Sequence, residues 1–262
     1  MLMSFFFKAK HYLRYRFASK TEYDVHAPFA YDFYTKAIRN KQKLSSELKA
    51  VESLRKQLLK NHTRIAVTDL GTGADDKHNQ RKISRITRRY ASSRKNARLL
   101  YNIAQYCKPE RILELGTSVG ISTMYLALAN KNSAITTLEG CPQTAAIARQ
   151  NFEQMHLNIG QITGNFDSIL PEYLAQNPPP DLIYFDGNHT EEATLRYFSA
   201  CLQGVHEKSV FVFNDIRWSQ GMLSAWNHIS NHPEVSLSLD IFEFGIVFFN
   251  KKIAKQHFIL RY

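Results

Sequence analysis

Between residues 111 and 249 the apolar positions fall into short runs that alternate with stretches of helical spacing. Ile112, Leu113 and Leu115 mark the first run, and strands are expected over 111–116, 134–139, 159–163, 181–186 and 208–214. Helical spacing fills the intervals at 119–130, 142–156, 167–176 and 190–203. This βα alternation predicts a parallel sheet covered on both faces. A further helix is expected over 221–229. Two more strands, 235–239 and 242–249, stand too close together for a right-handed parallel crossover and should pair antiparallel at one side of the sheet.

The first third of the chain has a different pattern. Pro28 suits the first turn of a helix running through Phe29, Phe33 and Ile38, and Leu44, Leu48, Val51, Leu54 and Leu58 give residues 44–60 a helical stripe. Ile83, Ile86, Tyr90, Leu99, Leu100 and Ile103 predict one or two more helices. Between these regions, Asp69-Leu-Gly-Thr-Gly-Ala-Asp-Asp76 has no apolar helix after it, so residues 61–82 are expected to form a mobile loop or a lid near the active site. The resulting organisation is an N-terminal helical extension over 1–82 and a main domain over 83–262.

Charge separates the same regions. The net charge is +11, yet residues 1–20 hold five Lys/Arg and residues 77–98 hold nine, with no acid in either stretch. Any contact with a polyanion or an anionic membrane therefore belongs to the first third. In residues 1–20 the cations interleave with Phe5, Phe6, Phe7, Tyr12, Tyr15 and Phe17. This pattern fits an aromatic helix packed across the main domain, or an arm resting on lipid or nucleic acid. The opening apolar run is too short to span a membrane and lacks the basic-then-apolar order of a signal peptide. Cys107, Cys141 and Cys201 are too far apart for a zinc cluster and suggest no disulfide framework, which suits a cytoplasmic protein.

The chemistry gathers where the expected strands end. Glu114-Leu-Gly-Thr-Ser-Val-Gly120 follows the first, with Gly116 free to make a tight turn and Gly120 to let the next helix approach. Glu114 can hold a cationic ligand group, while the backbone N–H groups of the turn serve acceptors. Glu139, at the end of the second strand, can accept both hydroxyls of a ribose or can sit in an exposed loop. After the third strand, Asn165 and Phe166 can meet an adenine edge and ring, or Asn165 and Asp167 can cap the helix that follows. Asp186, at the end of the fourth, has His189 nearby, and Asn214 and Asp215 end the fifth. Asp186, Asn214 and Asp215 offer oxygen ligands for magnesium or calcium, and His189 is a candidate base. For each of these residues a polar turn or a helix cap is the competing reading.

In that order, Glu114–Gly120, Glu139, Gly164-Asn-Phe-Asp167 and Tyr184-Phe-Asp-Gly-Asn-His189 resemble the class I S-adenosyl-L-methionine-dependent methyltransferases. The resemblance is closest to the small-molecule O-methyltransferases of the catechol and caffeoyl-coenzyme A type, and it covers about residues 83–250. It implies an α/β Rossmann-like methyltransferase fold with a mostly parallel seven-stranded sheet, a final antiparallel strand and the N-terminal helical extension. It further implies that Glu114, Gly116, Thr117, Ser118 and Gly120 surround the methionine part of the cofactor and that Glu139 binds its ribose. Asn165 and Phe166 would flank adenine, and Asp186 would face the sulfonium. Asp186, His189 and Asp215 are the expected catalytic residues, and Asp186, Asn214 and Asp215 the expected ligands of a Mg2+ or Ca2+ ion. Two departures stand out: Asn165 where many relatives carry Asp, and Asn214-Asp215 where metal-dependent relatives carry Asp-Asn. The implied acceptor is a small molecule, met by a monomer or a homodimer. RNA or protein methylation through the basic regions is the alternative, followed by a dinucleotide-dependent oxidoreductase.

Overall fold

A computed structural model describes residues 2–68 and 80–262. Its centre is a parallel sheet made by the expected runs: β3 (Arg111–Leu115), β4 (Ala134–Glu139), β5 (Gly160–Thr163), β6 (Leu182–Phe185) and β7 (Val210–Phe213). Earlier in the chain come α1 (Leu2–Ala18), α2 (Pro28–Phe33), α3 (Ser46–Leu58), the short strands β1 (Arg64–Ala66) and β2 (Gln80–Lys82), α4 (Ile83–Tyr90) and α5 (Arg94–Cys107). The crossover helices are α6 (Ile121–Ala129), α7 (Pro142–Gln154), α8 (Phe166–Gln176) and α9 (Glu191–Leu202), and α10 (Gln220–Asn231) follows β7. The chain ends with β8 (Leu237–Asp240), β9 (Gly245–Phe248) and β10 (Gln256–Ile259).

The main sheet has eight strands in the order β10-β8-β9-β7-β6-β3-β4-β5, one more than the seven expected. Strand β9 runs antiparallel to both β7 and β8. The remaining pairs are parallel. The added strand, β10, pairs parallel with β8 at the sheet edge, and its Gln-His-Phe-Ile sequence lacks the apolar run that marks the buried strands.

Side-chain alternation divides the core between the two faces of the sheet. Ile112, Leu182, Tyr184, Val210 and Val212 join one cluster with Phe33, Tyr34 and Leu99. Leu113, Leu115, Ile183, Phe185, Phe211 and Phe213 join the other with Phe198 and Trp226. A third cluster packs Leu48, Val51 and Leu54 of α3 against Ile83, Val119, Met124 and Phe152. The first third of the chain thus contributes to two of the three clusters. The helix beginning at Pro28 changes from an α-helical to a π-helical pattern at Tyr34–Ile38. Residues 61–82 are not all loop, because β1 and β2 pair antiparallel; residues 69–76 lie outside the described residues. Helix α1 is tied down at its C-terminal end, where the Tyr15 hydroxyl donates to the Leu260 carbonyl at 2.6 Å and accepts from the Tyr262 N–H at 3.0 Å.

Candidate active site

Backbone hydrogen bonds lock the strand-end loops together beyond the strands themselves. The Gly116 N–H reaches the Leu138 carbonyl at 2.9 Å, the Asp186 N–H reaches Leu115 at 2.8 Å, and the Asn214 N–H reaches Phe185 at 2.9 Å. Gly116 has φ +107°, and a Cβ there would lie 2.4 Å from the Asp186 carbonyl oxygen. Only glycine allows these two loops to come so close. At Gly120, with φ +83°, a Cβ would meet the Phe152 ring at 2.4 Å, so helix α6 starts hard against α7.

These loops surround a cavity of about 430 Å³. Gly116, Ser118, Glu139, Asn165 and Phe166 line one part of it, and Asp186, His189, Asn214 and Asp215 also belong to its wall. Among the described residues, three of the six non-glycine residues with positive φ, namely Ser118, Asn188 and Asp215, are wall residues. Such conformations persist only where the surrounding structure holds them, and here each sits in a different strand-end loop.

Glu139 is braced by its own turn. Its Oε2 accepts the Ser118 N–H at 2.8 Å and its Oε1 accepts the Cys141 N–H at 2.9 Å. Burial raises its pKa, and the backbone donors at Cys141 and Ser118 oppose that rise. The backbone N–H groups of Thr117 and Gly140 lower it as well. The Asn165 side chain accepts from the Asp167 N–H at 3.0 Å, so the capping role is present even though Asn165 also lines the cavity. Asp167 itself turns away to Arg196, with which it forms a 2.8 Å ion pair.

Glu114 is placed differently from the expectation. It shares its sheet face with Ile112 and is fully buried behind the cavity wall, where Oε2 accepts from the hydroxyls of Thr123 and Thr137. Burial pushes its pKa up to about 7, and the Asp186 charge adds to the rise. Thr117 is also buried behind the wall, where its hydroxyl meets that of Thr137 at 2.7 Å. Neither Glu114, Thr117 nor Gly120 is among the wall residues; the first two brace the turn from beneath, and Gly120 lets the helix start close to α7.

At the other end, Asn214 Nδ2 donates to Asp186 Oδ1 at 2.6 Å and lies 3.4 Å from Asp215 Oδ2. The amide nitrogen therefore lies between the two carboxylates, where a cation would be expected, and the buried Asn214 Oδ1 has no partner. Among the described residues no group of three or more His, Cys, Asp or Glu side chains could hold a metal ion. As placed, this donor set does not fit the all-oxygen shell of a hard cation. His189 Nε2 stands 3.6 Å from Asp186 Oδ1, an ion-pair contact too long for a hydrogen bond. Burial works to lower the His189 pKa, but Asp186 and Asp215 outweigh it and the net shift is upward. The Asp215 carboxyl is also raised, first by burial and then by the Asp186 charge, against the lowering effect of His189.

Several wall residues carry no role in the sequence reading: Cys141, Ser92, Asn96, Trp218 and Glu243, together with Arg81 and Arg89 from the basic stretch. Arg81 and Arg89 belong to the acid-free basic run over residues 77–98, and nothing in the run itself separates its cavity-facing members from the others. Trp218 had a visible signal, a large aromatic residue three positions beyond Asp215.

Residues 113–216 match a family model described as a methyltransferase domain. A catechol O-methyltransferase from Niastella koreensis is 38% identical over 96 residues, which are 35% of this chain and 43% of that protein. The match therefore spans less than half the length of the curated relative. Among solved structures, an S-adenosylhomocysteine-bound methyltransferase of Podospora anserina superposes with a TM-score of 0.59 at 16% identity, over 86% of this chain and 97% of its own. An O-methyltransferase from Bacillus cereus in complex with S-adenosylhomocysteine gives 0.57 at 20% identity, over 84% and 97%. At these identities the likeness establishes the fold, an α/β Rossmann-like methyltransferase fold.

Proposed function

We propose, from the methyltransferase domain that residues 113–216 of this chain carry, that the protein transfers the methyl group of S-adenosylmethionine to a hydroxyl oxygen of a small-molecule acceptor. The observation that carries this reading is the cavity itself, with Glu139 braced by two backbone donors in one part and Asp186, His189 and Asp215 in another. The Gly116 turn, which tolerates no side chain, supports it further, as does the buried Ser118 hydroxyl that lacks a partner within the protein. In this reading Glu139 accepts the ribose hydroxyls, Asn165 and Phe166 flank adenine, and Gly116, Ser118 and Asp186 face the methionine end.

When bound, the cofactor supplies an electrophilic methyl group on a sulfonium. The chain's own contribution is alignment of the acceptor oxygen with that methyl, and removal of the hydroxyl proton. His189 is the candidate acceptor of that proton; its Nε2 is buried beside Asp186 and has no hydrogen-bond partner in the protein. The imidazolium formed is stabilised by Asp186 at 3.6 Å and by the nearby Asp215 charge. Because the His189 pKa is raised, the base is free only above the ordinary histidine range. Assistance by a divalent cation would require the Asn214 amide to rotate, so that Oδ1 replaces Nδ2 between Asp186 and Asp215.

Calorimetry with S-adenosylhomocysteine tests the cofactor half of the proposal. The expected result is binding by the wild type, weakened roughly tenfold or more in Glu139→Gln, which loses charge-assisted hydrogen bonds. Binding of a nicotinamide dinucleotide in place of S-adenosylhomocysteine would overturn it. Transfer of labelled methyl to a panel of catechols and other phenols tests the acceptor half. Running the panel with EDTA and with added magnesium decides the cation's part.

A further inference from the structure

Helix α1 has an inner face committed to the protein and an outer face that is not. On the inner face Tyr15 is buried, Tyr12 and Tyr15 pack on Phe242 with ring centroids 5.0 and 5.2 Å away, and Lys8 Nζ lies 4.2 Å from the Trp218 ring centroid. On the outer face Leu13 is 59% exposed and Phe17 is 90% exposed. Four positions apart on a helix, they are surface neighbours.

The charge around this apolar line has one sign. Lys10, Arg14 and Arg16 border it and Lys20 follows the helix; all four are exposed, and none is in an ion pair among the described residues. Residues 1–20 contain no acid. Large apolar side chains left in water on a helix flanked by unpaired cations match a lipid interface, where the apolar groups enter the acyl boundary and the cations meet anionic headgroups. Four cations among its 17 residues suit α1 to lying on such a surface and not to crossing it; no helix among the described residues is long and apolar enough to cross a membrane.

We propose that the outer face of α1, through Leu13, Phe17, Lys10, Arg14 and Arg16, docks this protein on an anionic phospholipid bilayer. Helix α1 touches Trp218, which lines the candidate active site, so docking would bring that end of the cavity close to the lipid interface. The docking itself does not depend on the methyl-transfer reading and is tested without it.

The test is co-sedimentation of the full chain with phosphatidylcholine vesicles and with vesicles containing about one third phosphatidylserine. The expected result is pelleting with the anionic vesicles only, reversed by about 0.5 M NaCl, which screens the headgroup charge. Leu13→Ser/Phe17→Ser should lower the partition coefficient at least about tenfold while leaving the unfolding midpoint unchanged. If that variant is misfolded, Lys10→Gln/Arg14→Gln/Arg16→Gln replaces it, with the same expected loss. Absence of pelleting by the wild type, or pelleting unaffected by either variant, would overturn the proposal. So would a dimer, seen by ultracentrifugation, that the serine pair abolishes, because a second copy would then be the occupant. Salt-sensitive RNA binding through the same cations, with no vesicle binding, would also overturn it.

Discussion

Glu114 occupies a position that the alternation of its strand reserves for a core side chain. Ile112 precedes it by two residues on the same face, and the carboxylate is buried, with Oε2 accepting from the hydroxyls of Thr123 and Thr137. Its pKa is raised from 4.5 to about 7 because burial disfavours the charge, with Asp186 adding repulsion. The folded state therefore holds a proton here that the unfolded chain has already lost, and stability falls as pH rises between those two values. This group's contribution is fully present below 4.5 and is lost through about 7, an effect on the order of 3 kcal/mol. Glu114→Gln cannot ionise and should remove that slope. Urea unfolding at about pH 5 and about pH 8 checks this. Equal pH dependence in the variant and the wild type would refute the assignment. The same residue shows where the sequence misleads. Read as part of a glycine motif, Glu114 looks like a ligand contact; read by the period of two, it belongs to the core face. Glu139 ends its strand, and both of its carboxylate oxygens meet backbone donors of adjoining turns.

The loop after β7 is held by a different device. The two guanidinium nitrogens of Arg217 reach the two oxygens of Asp240 at 2.7 and 2.6 Å, and Nη1 also donates to the Phe242 carbonyl at 3.0 Å. The guanidinium lies over the rings of Tyr15 and Phe242, so one side chain joins α1, the end of β8 and the loop that carries Asn214 and Asp215. Arg217→Ala would leave the Asp240 carboxylate buried without its cation, a change that costs about 3–5 kcal/mol. A urea midpoint shift equivalent to less than about 1 kcal/mol would show that Trp226 Nε1, 3.3 Å from Asp240, and the Phe242 N–H, 3.0 Å away, suffice alone. None of this was legible in the sequence, where Arg217 and Asp240 are separated by a helix and share no motif. The βα alternation was legible for the opposite reason. Strands buried on both faces are written as continuous apolar runs such as Leu182–Phe185 and Val210–Phe213, and a local pattern is enough to find them. Edge strand β10 has only half-buried and exposed positions and leaves no such trace.

At the scale of the whole molecule, the division between an N-terminal extension and a main domain becomes a question about cooperativity. Phe33 and Tyr34 are fully buried in the cluster that also holds Tyr184, Val212 and Ile246 of the sheet, and Phe33 packs edge-on against Tyr106 at 5.2 Å and Phe248 at 4.9 Å. The Tyr34 hydroxyl donates to the Arg261 carbonyl at 2.7 Å, near the far end of the chain. Removing the first third would expose one face of the sheet, and an extension with that much shared core should not unfold by itself. Phe33→Ala deletes a ring with contacts on both sides of the division and is expected to cost about 3–5 kcal/mol. If the core is one unit, that loss appears as the same midpoint shift in far-ultraviolet circular dichroism, which reports helices throughout the chain, and in the fluorescence of Trp218 and Trp226, which lie beyond residue 200. If the extension is a separate unit, the variant shifts an early dichroism transition and leaves the tryptophan transition in place, and the division at residue 82 describes folding as well as sequence.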